Sequence, residues 1–172
     1  MACRAAEAVP AGYPVDPFGF LMRYFENIAM AKTSGSAAEA GQLGYLASGD
    51  GISMNRDRVI ADARSRVLAM ASQGYCPPRP RKSVKVAGEA GIAELKILLS
   101  QYSGGGFISE YDEFLAGRMA HVLCGGNIDA ENPVSEQYLL DLECEVFLEL
   151  LGQQKTLDRI EHTLKTGKPL RN

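Results

Sequence analysis

The residues of this chain that could do chemistry are few, and they form no complete reaction set. His121 and His162 belong to no metal-binding or triad-like motif, and each reads as a packed or surface histidine. Cys3, Cys76, Cys124 and Cys144 show neither C-x-x-C nor Cys/His ligand spacing. Free thiols in a reducing cytosol fit that pattern, with Cys124 and Cys144 as packing residues in apolar helical segments. A nucleophile elbow of the G-x-S-x-G type is absent. The run "SGGGF" at 103–107 lacks the Lys-Ser/Thr of a phosphate loop, and no G-x-G-x-x-G follows a strand, so no nicotinamide site is visible. No catalytic residue and no metal ligand is assigned. Lys165, Lys168 and Arg171 crowd the C-terminus and could meet a phosphate group or form a solvated tail.

Two charges stand out by position. At about 100° per residue, Leu139, Leu142, Val146 and Leu150 form one helix face, with Asp141, Glu145 and Glu149 opposite; Glu143 falls among the apolar set. In the preceding helix Arg118 falls on the face of Tyr111, Phe114, Leu115 and Val122. A carboxylate buried alone would lose several kcal/mol of solvation. Pairing of Arg118 with Glu143 is therefore expected; separate partners or a wetter edge is the alternative, and a catalytic carboxylate a third.

The elements that must position these groups are helical. Asp16 caps a helix with Pro17 at its first position, and Phe18, Leu21, Met22, Phe25, Ile28 and Ala29 form its stripe. The clustered aromatics suggest a core or partner-facing helix; cut off from its core, that face is expected to be exposed and to drive self-association. The Ala-rich start could form a helical turn that Pro10, Gly12 and Pro14 stop. Ser36 with Glu39 reads as a capping box, Asn55 as the cap of a helix whose Val59, Ile60, Ala63, Val67 and Met70 share a face, and Gly74 as its stop. "GISMN" at 51–55 could be a short extended piece, and "SVKVAG" at 83–88 is the best strand candidate. Further helices are expected from about Glu89, Ser109, Ser135 and Thr156, the last ending at Gly167. "RPRK" at 79–82, after two prolines, reads as a solvated connector or a docking patch for an anionic partner.

The 172 residues suffice for a compact core, and the net charge of -3 does not favour nucleic acid or an anionic membrane. No apolar run approaches the ~20 residues needed to span a bilayer, and no signal-peptide pattern opens the chain, so a cytoplasmic protein is expected.

"SAAEAGQLGYL" at 36–46 resembles the S-A-x-E-A-x-x-L-G-x-L segment of crotonase-fold enzymes, where a helix and turn leave the spiral core. "NRDRVIADARSRVLAMASQGYCPP", "YDEFLAGRMAHVLCGG", "SEQYLLDLECEVFLELL" and "RIEHTLKTGKPLRN" resemble the helical C-terminal region of that fold. More narrowly, "YFENIAMAK", "MNRDR", "EQYLLDLE" and "KTGKPLRN" are similar to the end of the long bacterial multifunctional 3-hydroxyacyl-CoA dehydrogenases of fatty-acid β-oxidation.

The resemblance implies a mainly α chain with at most one or two short strands, belonging to a crotonase-like (ClpP/crotonase) fold. It implies the end of the core and its outgoing helices at 1–74, a Pro/basic connector at 75–88 and a helical subdomain at 89–172. NAD and a CoA thioester would serve the longer parent, with oxyanion-hole amides and catalytic carboxylates encoded upstream. This part would cover the acyl pocket and make subunit contacts in a dimer or larger assembly, with Lys165 and Lys168 near the CoA phosphates. A free-standing helical adaptor is the alternative from another class. A DNA-binding helical domain is disfavoured by the acidic balance.

Overall fold

A computed structural model describes residues 1–10 and 16–172. The chain is mainly helical. The helices are α1 (Ala2–Ala8), α2 (Phe18–Ala29), α3 (Ala37–Gln42), α4 (Val59–Ser72), α5 (Gly88–Gly104), α6 (Glu110–Leu123), α7 (Glu136–Leu151) and α8 (Gln154–Thr166), with a 3-10 turn at Arg56–Arg58 before α4. The strand candidate at 83–88 provides only an isolated antiparallel bridge, Val84 to Val134, and residues 51–55 are irregular.

The chain divides into two compact units, Met1–Lys32 with Pro80–Asn172, and Thr33–Arg79. This is a partition by packing, a different kind of division from the boundaries at 1–74, 75–88 and 89–172.

In the first unit α5 and α6 form the central hairpin, and α2 packs across α6. Apolar residues at helical spacing meet there: Leu21 and Phe25 of α2, Ile92, Leu95 and Leu99 of α5, and Ala116, Ala120 and Leu123 of α6. Small residues on α6 let the neighbouring backbones approach. Burial of α2 overturns the expectation of an exposed apolar face there, because α6 covers Leu21 and Phe25. A smaller cluster joins Val84, Val86 and Leu139 to residues of α1. Gly88 links the bridge to α5 at a φ of 57°, and a Cβ there would stand 2.3 Å from the carbonyl of Ile128, so only glycine fits.

Local capping follows the sequence closely. Asp16 accepts from the Phe18 amide at 2.9 Å, Ser36 from Glu39 at 3.1 Å, and Ser109 with Asp112 makes a reciprocal capping box. The start of α8 differs: it begins at Gln154, so Thr156 sits inside the helix and its hydroxyl is used elsewhere. Of the expected breaks after α1, Gly12 and Pro14 lie outside the described residues.

In the second unit, Tyr45 and Leu46 donate to the Ala40 carbonyl to close α3. The polar side of α4 turns toward the preceding loop: Arg66 donates to the Gly49 carbonyl at 2.8 Å, and Ser53 hydrogen-bonds Asp62. Its apolar stripe exists as expected but faces outward, with Ile60 84% exposed and Val59 and Val67 also exposed.

Candidate functional site

Helix α6 is the hub of the polar groups. The notable cluster sits at its N-terminus, where α8 and the final residues meet it. Arg159 of α8 pairs with Asp112 at 2.7 Å, and both side chains are largely buried (18% and 22% exposed). The Arg159 Nε donates to the Asn172 side-chain oxygen at 2.7 Å, and its Nη2 to the Asn172 main-chain oxygen at 3.2 Å. Ser109 donates to that same main-chain oxygen at 3.3 Å, while the Asn172 amide donates to the Lys155 carbonyl. Tyr111 and Thr156 hydroxyls lie 2.6 Å apart, with the Arg159 guanidinium over the Tyr111 ring at 5.1 Å. Burial pushes the Asp112 carboxyl up, but hydrogen bonds from Arg159 and Ser109 outweigh it and hold the group below the ordinary carboxylate range. Helix α8 buries no residue fully, so this polar clasp, rather than an apolar face, fastens it.

The pairing expected between Arg118 and Glu143 is not formed. Arg118 pairs with Glu149 instead and stands over the Phe114 ring at 5.8 Å. The register of two antiparallel helices explains the correction. Tyr138 reaches the Gly125 carbonyl and Glu149 reaches Arg118, so Glu143 falls beside Val122 and Leu123. That is about one turn, roughly 6 Å, along α6 from Arg118. Glu143 is exposed at this border and needs no buried partner.

Among the other residues singled out by sequence, Lys165 pairs with Glu161 within α8, and Lys168 and Arg171 are exposed beyond it. His121 lines a cleft of about 490 Å³ between α5 and α6, together with Lys96, Ser100, Glu113, Arg118 and Asn127. His162 is half-buried on α8. Cys124 is fully buried, and burial pushes its thiol up to about 12, which makes it a packing residue and not a nucleophile. Cys144 is exposed, contrary to a packing role, because it falls on the outer side of α7. Arg81 of the basic run is more than a solvated linker residue: it bridges Glu7 and Glu136, tying α1 to α7. Hydrogen bonds from Arg81, first from its backbone amide, hold the Glu136 carboxyl below its ordinary range.

Among the described residues no group of three or more His, Cys, Asp or Glu could hold a metal ion, and no helix is long and apolar enough to cross a membrane.

Over 157 residues the chain is 43% identical to a protein of Bacillus subtilis (strain 168). That relative is a probable 3-hydroxyacyl-CoA dehydrogenase. The match takes in 91% of this chain and 20% of the relative, so the chain spans about a fifth of that protein's length. No family model and no solved structure matches the chain.

Proposed function

We propose that this chain is a helical region of a longer enzyme of the 3-hydroxyacyl-CoA dehydrogenase kind, acting in fatty-acid β-oxidation on acyl-CoA thioesters. The observation that carries this is the 43% identity maintained over nearly the whole chain to a fifth of such a protein. The motif resemblance supports the finer reading, in which the segment closes a crotonase-like hydratase/isomerase region at its C-terminal side. In that reading residues 1–74 lead out of the core, 75–88 connect, and 89–172 form the helical subdomain. Its role is to cover the acyl-CoA pocket and make subunit contacts in the cytoplasm.

The residues present do not fit NAD. A dinucleotide site needs a strand, a glycine-rich turn and a helix N-terminus in sequence. The described residues offer one isolated bridge and no such turn. Hydride chemistry therefore belongs, in this reading, to another region of the polypeptide. Lys165 and Lys168 are the groups here that suit CoA phosphates; both are exposed cations near the end of α8, although Lys165 is partly neutralised by Glu161. Thioester chemistry also needs donors at the carbonyl oxygen and an acid or base at the reacting carbon, and neither role is assigned to a residue of this chain.

Calorimetric titration of the chain with acetoacetyl-CoA and with NADH tests the reading. Weak binding of the thioester that Lys168→Glu diminishes, with no heat from NADH, is expected. Saturable NADH binding would overturn it. The alternative, a free-standing helical adaptor, is favoured by one observation, the outward apolar stripe of α4. In both readings the chain self-associates, and a monomer by light scattering at high concentration would contradict that.

A further inference from the structure

Two helices turn an apolar stripe outward, and the charges beside those stripes are opposite in sign. On α7, Leu139 and Val146 face inward and are buried. At about 100° per residue the other side carries Leu140, Cys144, Phe147 and Leu148. All four are exposed, Leu148 by 63%. Asp141 and Glu145 run along one edge of this stripe and Glu143 lies on the other, and every charged residue of the helix is acidic.

On α4 the outward face holds Ile60, Val67 and Leu68, all exposed, with Arg64 among them. The acid of this helix, Asp62, is engaged by Ser53 and Arg58, and Arg66 is turned to the Gly49 carbonyl. Arg64 holds no ion pair among the described residues, and neither does Glu145. An ordinary surface helix shows water its polar side. Large apolar residues grouped on that side mark a contact surface.

The two stripes also match in register. Arg64 stands four residues after Ile60 and four before Leu68; Cys144 stands four after Leu140 and four before Leu148. Side chains four apart share a face, so each stripe has a large apolar residue at both ends and a distinct centre. Laid together in either direction, the centres coincide. Arg64 then comes over the small Cys144, with Glu143 and Glu145 to either side. Like pairs do not fit: α4 on α4 would oppose two Arg64 cations, and α7 on α7 would oppose carboxylates.

We propose that α4 of one copy docks on α7 of a second copy, with Ile60 and Leu68 against Leu140 and Leu148, and Arg64 against Glu145. Two such contacts about a two-fold axis close the pair as a dimer. This surface rests on the self-association in the proposed function, and not on the enzyme assignment. Two helix-on-helix contacts are small beside those of a permanent dimer, so the pair forms at high concentration and separates in dilute solution.

Sedimentation of the full chain over a concentration series tests the contact, and a reversible monomer–dimer equilibrium is expected. Ile60→Glu, Arg64→Glu and Glu145→Arg, all at exposed positions and checked for an unchanged melting curve, should each weaken it about tenfold or more. Arg64→Glu combined with Glu145→Arg should recover most of the loss. Leu164→Glu, at an 82% exposed apolar position of α8, should stay within about twofold of the unaltered chain. Arg64→Cys, with Cys3→Ser and Cys76→Ser, should give on oxidation by glutathione disulfide a dimer linked from position 64 of one chain to Cys144 of the other. A monomer at every concentration would overturn the self-association and this surface together. A dimer indifferent to all three charge substitutions, or a 64-to-144 link within one chain, would overturn the surface alone. Failure of the combined variant to recover would overturn the Arg64–Glu145 pairing, and growth beyond a dimer would overturn the two-fold closure.

Discussion

Helices α4 and α5 are close in length and each carries an apolar stripe at helical spacing, yet only one of them is covered. Leu95 of α5 is 0% exposed, packed among α2 and α6, whereas Val59, Ile60 and Val67 of α4 face outward. What α4 does turn inward is polar: Asp62 and Arg66 tie it to residues 49–53. Periodicity fixes which residues share a face and says nothing of what lies against it. The unit at Thr33–Arg79 is therefore held by caps and short-range hydrogen bonds, and the unit at Met1–Lys32 with Pro80–Asn172 by a shared core.

Substitutions can break that contrast or sharpen it. The largest effect is expected at the core. Leu95→Ala should cost about 2–5 kcal/mol in urea denaturation, while Ile60→Ala on α4 should stay within about 0.5 kcal/mol. Equal losses would mean that α4 has a cover of its own. Gly88→Ala comes next, at about 2 kcal/mol or more, because both its φ and the Ile128 carbonyl refuse a Cβ.

The polar clasp on α8 should rank third. Arg159→Leu is expected to cost about 1–3 kcal/mol and to raise amide exchange through α8 before the α5–α6 hairpin. Its pH signature follows from the depressed Asp112 carboxyl. The stabilisation is complete above the unfolded carboxylate value of ~3.9 and disappears as pH falls through the lower folded value. Asp112→Asn should remove that acid-dependent component, measured as midpoint against pH. The smallest effect separates two glutamates of α7: Glu149→Gln should cost at most about 1 kcal/mol, and Glu143→Gln nothing measurable.

Much of the local structure was legible in the sequence. Asp16, Ser36, Asn55, Ser109 and Ser135 each mark a helix start with a side-chain acceptor, and Gly167 takes the left-handed conformation at the end of α8. Relations between helices were not. The partner of Arg118 depends on the register of α6 against α7, which shifts the answer from Glu143 to Glu149 without altering either helix. Arg81 looked like connector charge because Glu7 and Glu136 are distant in sequence, 74 and 55 residues away. The Arg159–Asp112–Asn172 clasp had no signal beyond a capping aspartate, since its members meet only once α8 returns to the start of α6. Thr156 reads as a helix start for the same reason: the sequence shows a hydroxyl ahead of a helical run, but not the Tyr111 hydroxyl that engages it.

The central functional claim is that this chain serves a thioester-processing enzyme without holding its reacting groups, and one assay tests it most directly. The purified chain, freed of host enzymes, is mixed with 3-hydroxybutyryl-CoA and NAD, and with crotonyl-CoA, and product formation is followed. The account predicts no turnover above the buffer rate with either mixture. Turnover that co-purifies with the chain and scales with its concentration would contradict it.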